Sequence, residues 1–193
     1  MLKFIISGGP GAGKSTLLEA LQASEFYCSD EVSRQLIQEQ VALNSSCLPW
    51  IDLGCFAHLA LDRMIAEHQR ASTSGGIAFF DRAIPDIIAY LRVGSLPVDE
   101  SFYGAIERYS YEQLVFMAPP WEAIYINDQE RWQTFAEATT LYQALVNTYQ
   151  SLGFTVVTLP KVSVAERVAF VLTTIQRYLG EPVVGNQSSG TSP

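Results

Sequence analysis

Basic residues are scarce in this chain: 12 Lys and Arg stand against 20 Asp and Glu, a net charge of −8 over 193 residues. That balance opposes attraction to a nucleic-acid backbone, so no nucleic-acid partner is expected. Any anionic ligand must be held by a local concentration of the few cations. Long apolar runs are missing too, since no uninterrupted stretch approaches the ~18 residues of a membrane span. No membrane partner is expected. Cysteine is limited to Cys28, Cys47 and Cys55. They cannot all pair within one chain and have no metal-ligand spacing, so the expectation is incidental thiols of a reducing compartment. His58 and His68 share one helical stretch without ligand-like partners, and neither is a candidate metal ligand or base. Internal repeats are absent, and low-complexity sequence is confined to the tail. The opening residues show no basic leader or cleavage site, from which a cytoplasmic protein is expected.

What is present begins at once. The apolar run Leu2–Ser7 leads directly into Gly8, Gly9, Pro10, Gly11, Ala12, Gly13, Lys14, Ser15 and Thr16. Gly8, four residues, then Gly13-Lys14-Ser15 is the spacing of a phosphate-binding loop, placed where it belongs, between a strand and a helix with Leu17, Leu18 and Leu21 on one side. Glycines let successive main-chain N–H groups point inward, and the dipole of the following helix reinforces that anion cradle. The expected occupant is a nucleoside triphosphate, ATP or GTP, bound by residues 8–16. Lys14 would reach the β- and γ-phosphates, and the Ser15 hydroxyl would ligate Mg²⁺.

Strand-like and helix-like patterns alternate along the rest of the chain. Strands are expected near 2–7, 26–29, 77–80, 114–117 and 154–159. Helices are expected at 14–23, 32–40, 50–71, 84–92, 99–109, 126–152 and 163–179. The alternation predicts an α/β fold: a three-layer P-loop NTPase domain over residues 1–180, with a mainly parallel five-stranded sheet covered by helices on both faces. Residues 181–193, rich in Gly, Ser, Asn and Pro, are expected to form a disordered tail.

Ligands of such sheets bind at the carboxyl ends of strands, where the strand order switches. That rule gathers Gly8–Ser15, Asp30-Glu31, Asp81-Arg82, Pro119-Pro120-Trp121 and Lys161 around one crevice. Asp81, after a buried apolar run, is expected to orient Mg²⁺ together with Ser15, although it would also serve as a helix cap. Arg82 is positioned for phosphate or a carboxylate, with Asp86 one turn later to orient it. Of Asp30 and Glu31, Glu31 is preferred as the base that accepts a hydroxyl proton; a solvated first-turn carboxylate is the plainer alternative. Arg34, three residues on, is a candidate clamp for the second substrate, alongside Asp30, Arg82 and Asp86. Asp128, Glu130 and Arg131 open a late helix, and Arg131 is the candidate lid arginine, closing over the phosphates to neutralise charge. Trp121 and Trp132 carry rings that can stack on a base, although aromatic side chains more often fill cores.

With Gly8–Ser15, Glu31-x-x-Arg34, Phe79-Phe80-Asp81-Arg82-x-x-Pro85-Asp86 and Ala118-Pro119-Pro120-Trp121…Asn127-Asp128-x-Glu130-Arg131 in view, the chain resembles a family of small AAA-type predicted P-loop ATPases. That family is similar to the kinase domain of NadR-type ribosylnicotinamide kinases, and more distantly to thymidylate and deoxynucleoside kinases. The resemblance covers about residues 1–180. It implies ATP, with GTP preferred by some related proteins, and a nucleoside-like small-molecule acceptor. One departure matters: AAA machines carry Asp-Glu where this chain has Asp81-Arg82, so the glutamate that activates water is absent from that position. The expected activity is Mg²⁺-dependent phosphoryl transfer from ATP to a hydroxyl. The alternative is a nucleotide-dependent (ATP or GTP) switch or slow NTPase; a standard GTPase is disfavoured by the lack of an Asn-Lys-x-Asp segment for reading guanine, to which Asn127-Asp128 is the nearest approach.

Overall fold

Side chains that alternate along the apolar strands divide the core between two faces of one sheet. Phe4, Ile6, Phe79 and Phe116 point to one face, and Ile5, Phe80, Val115 and Met117 to the other. The computed structural model describes residues 1–71, 76–124 and 134–180. Its five strands are β1 (Leu2–Gly8), β2 (Tyr27–Cys28), β3 (Ile77–Asp81), β4 (Leu114–Ala118) and β5 (Thr155–Thr158). All four pairings are parallel, in the order β2-β3-β1-β4-β5. The order reverses at β1, so the crevice expected of such a sheet opens beside its carboxyl end. Register places Ile6 opposite Asp81 and Gly8 opposite Ala118, bringing those strand ends level.

Helices α1 (Lys14–Ala23) and α7 (Val164–Tyr178) cover the first face, through Leu17, Leu18, Leu21, Val171 and Ile175. Helices α4 (Ile84–Val93) and α6 (Phe135–Ser151), with the end of α3 (Leu53–Ala71), cover the second. Outside that layer α2 (Val32–Ala42), α3, α4 and α5 (Glu100–Arg108) share a third cluster, including Leu36, Phe56, Met64, Ile87 and Phe102. Local chemistry sets several helix starts. Thr134 and Glu137 form a reciprocal cap on α6, Ser163 and Glu166 on α7, and the Asp99 carboxylate accepts the Ser101 N–H at 2.8 Å. Among the described residues no helix is long and apolar enough to cross a membrane.

Two expectations change. The third helix begins at Leu53 rather than Trp50, because the Asp52 carboxylate accepts the Cys55 N–H at 2.9 Å and marks the turn before it. Cys47 and Cys55, expected as free thiols, are joined in a disulfide. The Ser45 hydroxyl accepts the Cys47 N–H, and the turn before α3 folds the chain back, leaving the two Cα atoms 5.2 Å apart. Cys28 stays a thiol; burial and then the nearby Asp81 charge push its pKa up to about 11. The proposed start of the late helix at residues 126–133 and the tail 181–193 lie outside the described residues.

Candidate active site

The loop after β1 is shaped by close approaches that only glycine tolerates. A Cβ at Gly8 would lie 2.5 Å from the Ala118 carbonyl oxygen. Gly13 sits at φ 76°, left-handed backbone, and caps α1 without any side-chain hydrogen bond. With no acidic residue in the first turn either, the amides and dipole of α1 are left for an external anion. Ser15 and Thr16 are exposed on that first turn.

Lys14 is buried and donates to the Gly9 carbonyl at 3.2 Å, with its ammonium 4.0 Å from an Asp81 carboxylate oxygen. Desolvation, and then the Arg82 charge, lower the Lys14 pKa; desolvation raises that of Asp81, against the pull of Lys14 and Arg82. Both shifts describe charges held out of water in expectation of a partner. The Asp81 N–H donates to the Ser29 hydroxyl at 3.0 Å, while Oδ1, the oxygen 4.0 Å from the Lys14 ammonium, is buried without a hydrogen bond. Such an orphaned oxygen suits a cation or its water shell. Among the described residues no group of three or more His, Cys, Asp and Glu could hold a metal by itself. A cation beside Asp81 therefore needs ligands from Ser15 and from phosphate.

Arg82 adopts φ 69°, rare for a bulky residue, and its N–H bonds the Ile6 carbonyl at 3.0 Å. Its Nη1 donates to the Tyr90 hydroxyl at 2.7 Å. Burial alone would lower its pKa, but Tyr90 with Asp86, Asp81 and Glu31 outweighs that and holds the guanidinium charged. Asp86 is fully engaged. One carboxylate oxygen accepts from Ser7 at 2.6 Å, and the other accepts from the Ala83 N–H at 2.9 Å and from the Tyr149 hydroxyl at 2.5 Å. Glu31 precedes α2 and lies 3.6 Å from the Arg34 guanidinium.

A cavity of about 980 Å³ joins these parts. Residues 10–16, Glu31, Arg34, Arg82 and Asp86 line it, as the sequence leads one to expect. Gly8, Gly9 and Asp81 sit behind the lining, Asp81 through its contact with Lys14. Asp30 is not brought in: its carboxylate faces Arg70 at 3.6 Å on the surface. Lys161 is exposed and outside the lining. Asp128, Glu130, Arg131 and Trp132, including the lid candidate, lie outside the described residues.

Arg167, overlooked in the sequence, buttresses the loop from α7. It donates to the Ala12 carbonyl at 3.0 Å and the Pro160 carbonyl at 2.8 Å, and its guanidinium lies 4.9 Å from the Trp121 ring centre. The signal was available: Arg167, Val171 and Ile175 form the buried i, i+4, i+8 stripe of that helix, and a charge on such a stripe demands a partner.

The chain matches the model of the AAA domain family over residues 3–167. No curated protein sequence matches it. Among solved structures it is similar to NadR protein in complex with NR, at 20% identity and TM-score 0.68, covering 96% of this chain and 53% of that one. A second NadR structure, with NAD and AMP-PNP, gives 19% identity and TM-score 0.68, covering 95% and 51%. The chain thus spans about half the length of those NadR chains. Deoxyadenosine kinase from M. mycoides, with dCMP and dCDP bound, matches at 14% identity and TM-score 0.60, covering 91% of this chain and 100% of that one. Thymidylate kinase from Candida albicans matches at 15% and 0.61, covering 93% and 92%. These likenesses establish the fold, a three-layer α/β domain with a parallel five-stranded sheet.

Proposed function

We propose that this chain, which belongs to the AAA domain family, is a phosphotransferase that moves the γ-phosphoryl group of ATP to a hydroxyl of a small, nucleoside-like molecule. The observation that carries the reading is that the phosphate loop, Lys14, Glu31 and Arg82 meet in one continuous cavity, which runs on beyond them between α2, α3 and α4. Hydrolysis needs room only for water. The kinases among the similar structures, and the AMP-PNP held by one NadR structure, support an ATP-like donor and a small acceptor.

In this reading the main-chain N–H groups of Gly9 and of residues 11–15 and the α1 dipole hold the triphosphate, and Lys14 swings from the Gly9 carbonyl to the β- and γ-oxygens. The orphaned Asp81 oxygen and the Ser15 hydroxyl fit a Mg²⁺ ion, which when bound supplies charge neutralisation at the phosphates. Arg82, kept cationic and fixed by Tyr90, steadies charge on the transferring group. Glu31 accepts the acceptor's hydroxyl proton as its oxygen attacks phosphorus. The bond from phosphorus to the β–γ bridging oxygen breaks, and ADP leaves with that electron pair. Because phosphoryl transfer asks for positioning and charge stabilisation more than covalent help, this set is sufficient in kind.

ADP release from Mg-ATP is the test, measured with and without a nucleoside panel that includes nicotinamide riboside. Acceleration by an acceptor supports the kinase; release that no acceptor changes argues for a slow NTPase or switch. Lys14→Ala should lower turnover roughly 10²–10³-fold with the melting temperature kept. Asp81→Asn should raise the Mg²⁺ concentration for half-activity roughly 10–100-fold.

A further inference from the structure

Beyond the phosphate end the cavity changes chemistry. Helix α3 gives it Leu53, Phe56, Ala57, Ala60 and Met64, spaced i, i+3, i+4, i+7 and i+11, so they share one face for about 16 Å of helix. Their side chains carry no donor, and the Met64 thioether is their one weak acceptor. Ile87 of α4 faces the same space, and these residues belong to the third core cluster, so the wall is preformed by packing. Polar side chains of the lining gather around residues 10–16, Glu31, Ser33, Arg34 and Arg82; of the others, the Tyr90 hydroxyl is already held by Arg82 and the Asp86 oxygens by Ser7, Ala83 and Tyr149, while Gln38 and Trp50 add an amide and an indole N–H. The cavity is therefore polar where a hydroxyl would meet phosphorus and has a continuous apolar wall along α3.

A nucleobase carries several donors and acceptors on its edges, and each one pressed against such a wall loses its water without gaining a partner. An apolar body gains from the same burial. We propose that the acceptor is a primary alcohol with an aryl or branched-alkyl body, so that its likeness to a nucleoside ends at the hydroxyl-bearing end. This rests on the phosphotransfer reading and narrows it. The alcohol oxygen bonds to the γ-phosphorus, its proton passes to Glu31, and ADP is released, giving the alkyl phosphate.

The test compares 3-phenylpropan-1-ol and 3,7-dimethyloctan-1-ol with adenosine, uridine and thymidine, using the full chain with Mg-ATP and following ADP release. Binding is read in parallel with Mg-AMP-PNP present, as quenching of Trp50 emission, taken as the difference from Trp50→Phe; Trp50 lines the cavity beside Leu53. The apolar alcohols should give a kcat/KM at least tenfold above the nucleosides. Ala60→Leu, which shortens the chamber, should raise the KM for dimethyloctanol at least tenfold relative to the KM for ATP. If that variant fails to fold, Leu53→Gln at the half-buried end should shift preference toward nucleosides. Apolar alcohols that bind without turnover would support the chamber assignment while ending the kinase reading. Preference for nucleosides, or neither binding nor turnover with the alcohols, would overturn it.

Discussion

Arg167 directs two donors at main-chain carbonyls, one in the phosphate loop and one after β5, and rests its cation over Trp121. Desolvation lowers its pKa, so the charge is tolerated there for what it organises. Its position also explains why position 13 is glycine: a Cβ there would come within 3.0 Å of the guanidinium. Arg167→Ala leaves the Ala12 and Pro160 carbonyls without this donor, in a place water reaches poorly. The expected cost is roughly 2–4 kcal/mol of stability, with weaker ATP affinity because the loop loses its support. Arg167→Lys should fall between, since one ammonium cannot reproduce a planar fork with two acceptors. Urea midpoints and ATP titrations read both effects. Unchanged midpoint and affinity in Arg167→Ala would remove it from the site's architecture.

Between elements, Asp86 is the tie. It joins β1 through Ser7, the start of α4 through the Ala83 N–H, and α6 through Tyr149, and it is almost fully buried. Desolvation and the Asp86 charge raise the Tyr149 pKa, so the phenol stays a donor at every ordinary pH. The sequence placed Asp86 among substrate-binding residues, next to Arg82; the structure puts it at the cavity wall with its oxygens already engaged. Two outcomes separate those roles. Tyr149→Phe removes a hydrogen bond to a charged group and should cost about 1.5–3 kcal/mol, with acceptor KM little changed. Were Asp86 free to hold the acceptor, Asp86→Asn would raise that KM without lowering the melting temperature. This residue also shows what the sequence could disclose. Motif spacing and strand–helix alternation are local signals, and they located the loop, the five strands and the Asp81-Arg82 turn. Hydrogen bonds such as Tyr149 to Asp86, 63 positions apart, leave no local trace. The same holds for the α3 wall, because a helix stripe facing a core and one facing a cavity have the same period.

Across the whole molecule, the acid response is set at the end of the sheet far from the phosphate loop. Lys3, near the start of β1, is about 17 Å of strand from Gly8. There the Lys3 ammonium donates to the His68 carbonyl at 2.9 Å and lies 3.1 Å from its ring, whose Nε2–H donates to the Ser110 carbonyl at 2.9 Å. Rings of Tyr111, Tyr109 and Phe80 enclose the imidazole. Desolvation lowers the His68 pKa from 6.5; the Ser110 bond opposes this and the Lys3 charge adds to it. With the folded pKa depressed, the unfolded chain takes up the proton first as pH falls. His68 thus contributes stability above pH 6.5 that is lost progressively below it, down through the lowered folded value. Asp81 acts with the opposite sign: its raised folded pKa stabilises at low pH, and that contribution disappears as pH climbs through the raised value. The melting temperature should therefore fall between pH 7.5 and 5.5, and His68→Gln should flatten that fall. Asp81→Asn should steepen any decline at still lower pH. Because His68 makes its hydrogen bonds to Lys3 and Ser110 and lines no part of the cavity, His68→Gln should leave ATP affinity and its pH dependence as they are. An unflattened melting curve in His68→Gln would assign the acid response to the surface carboxylates instead.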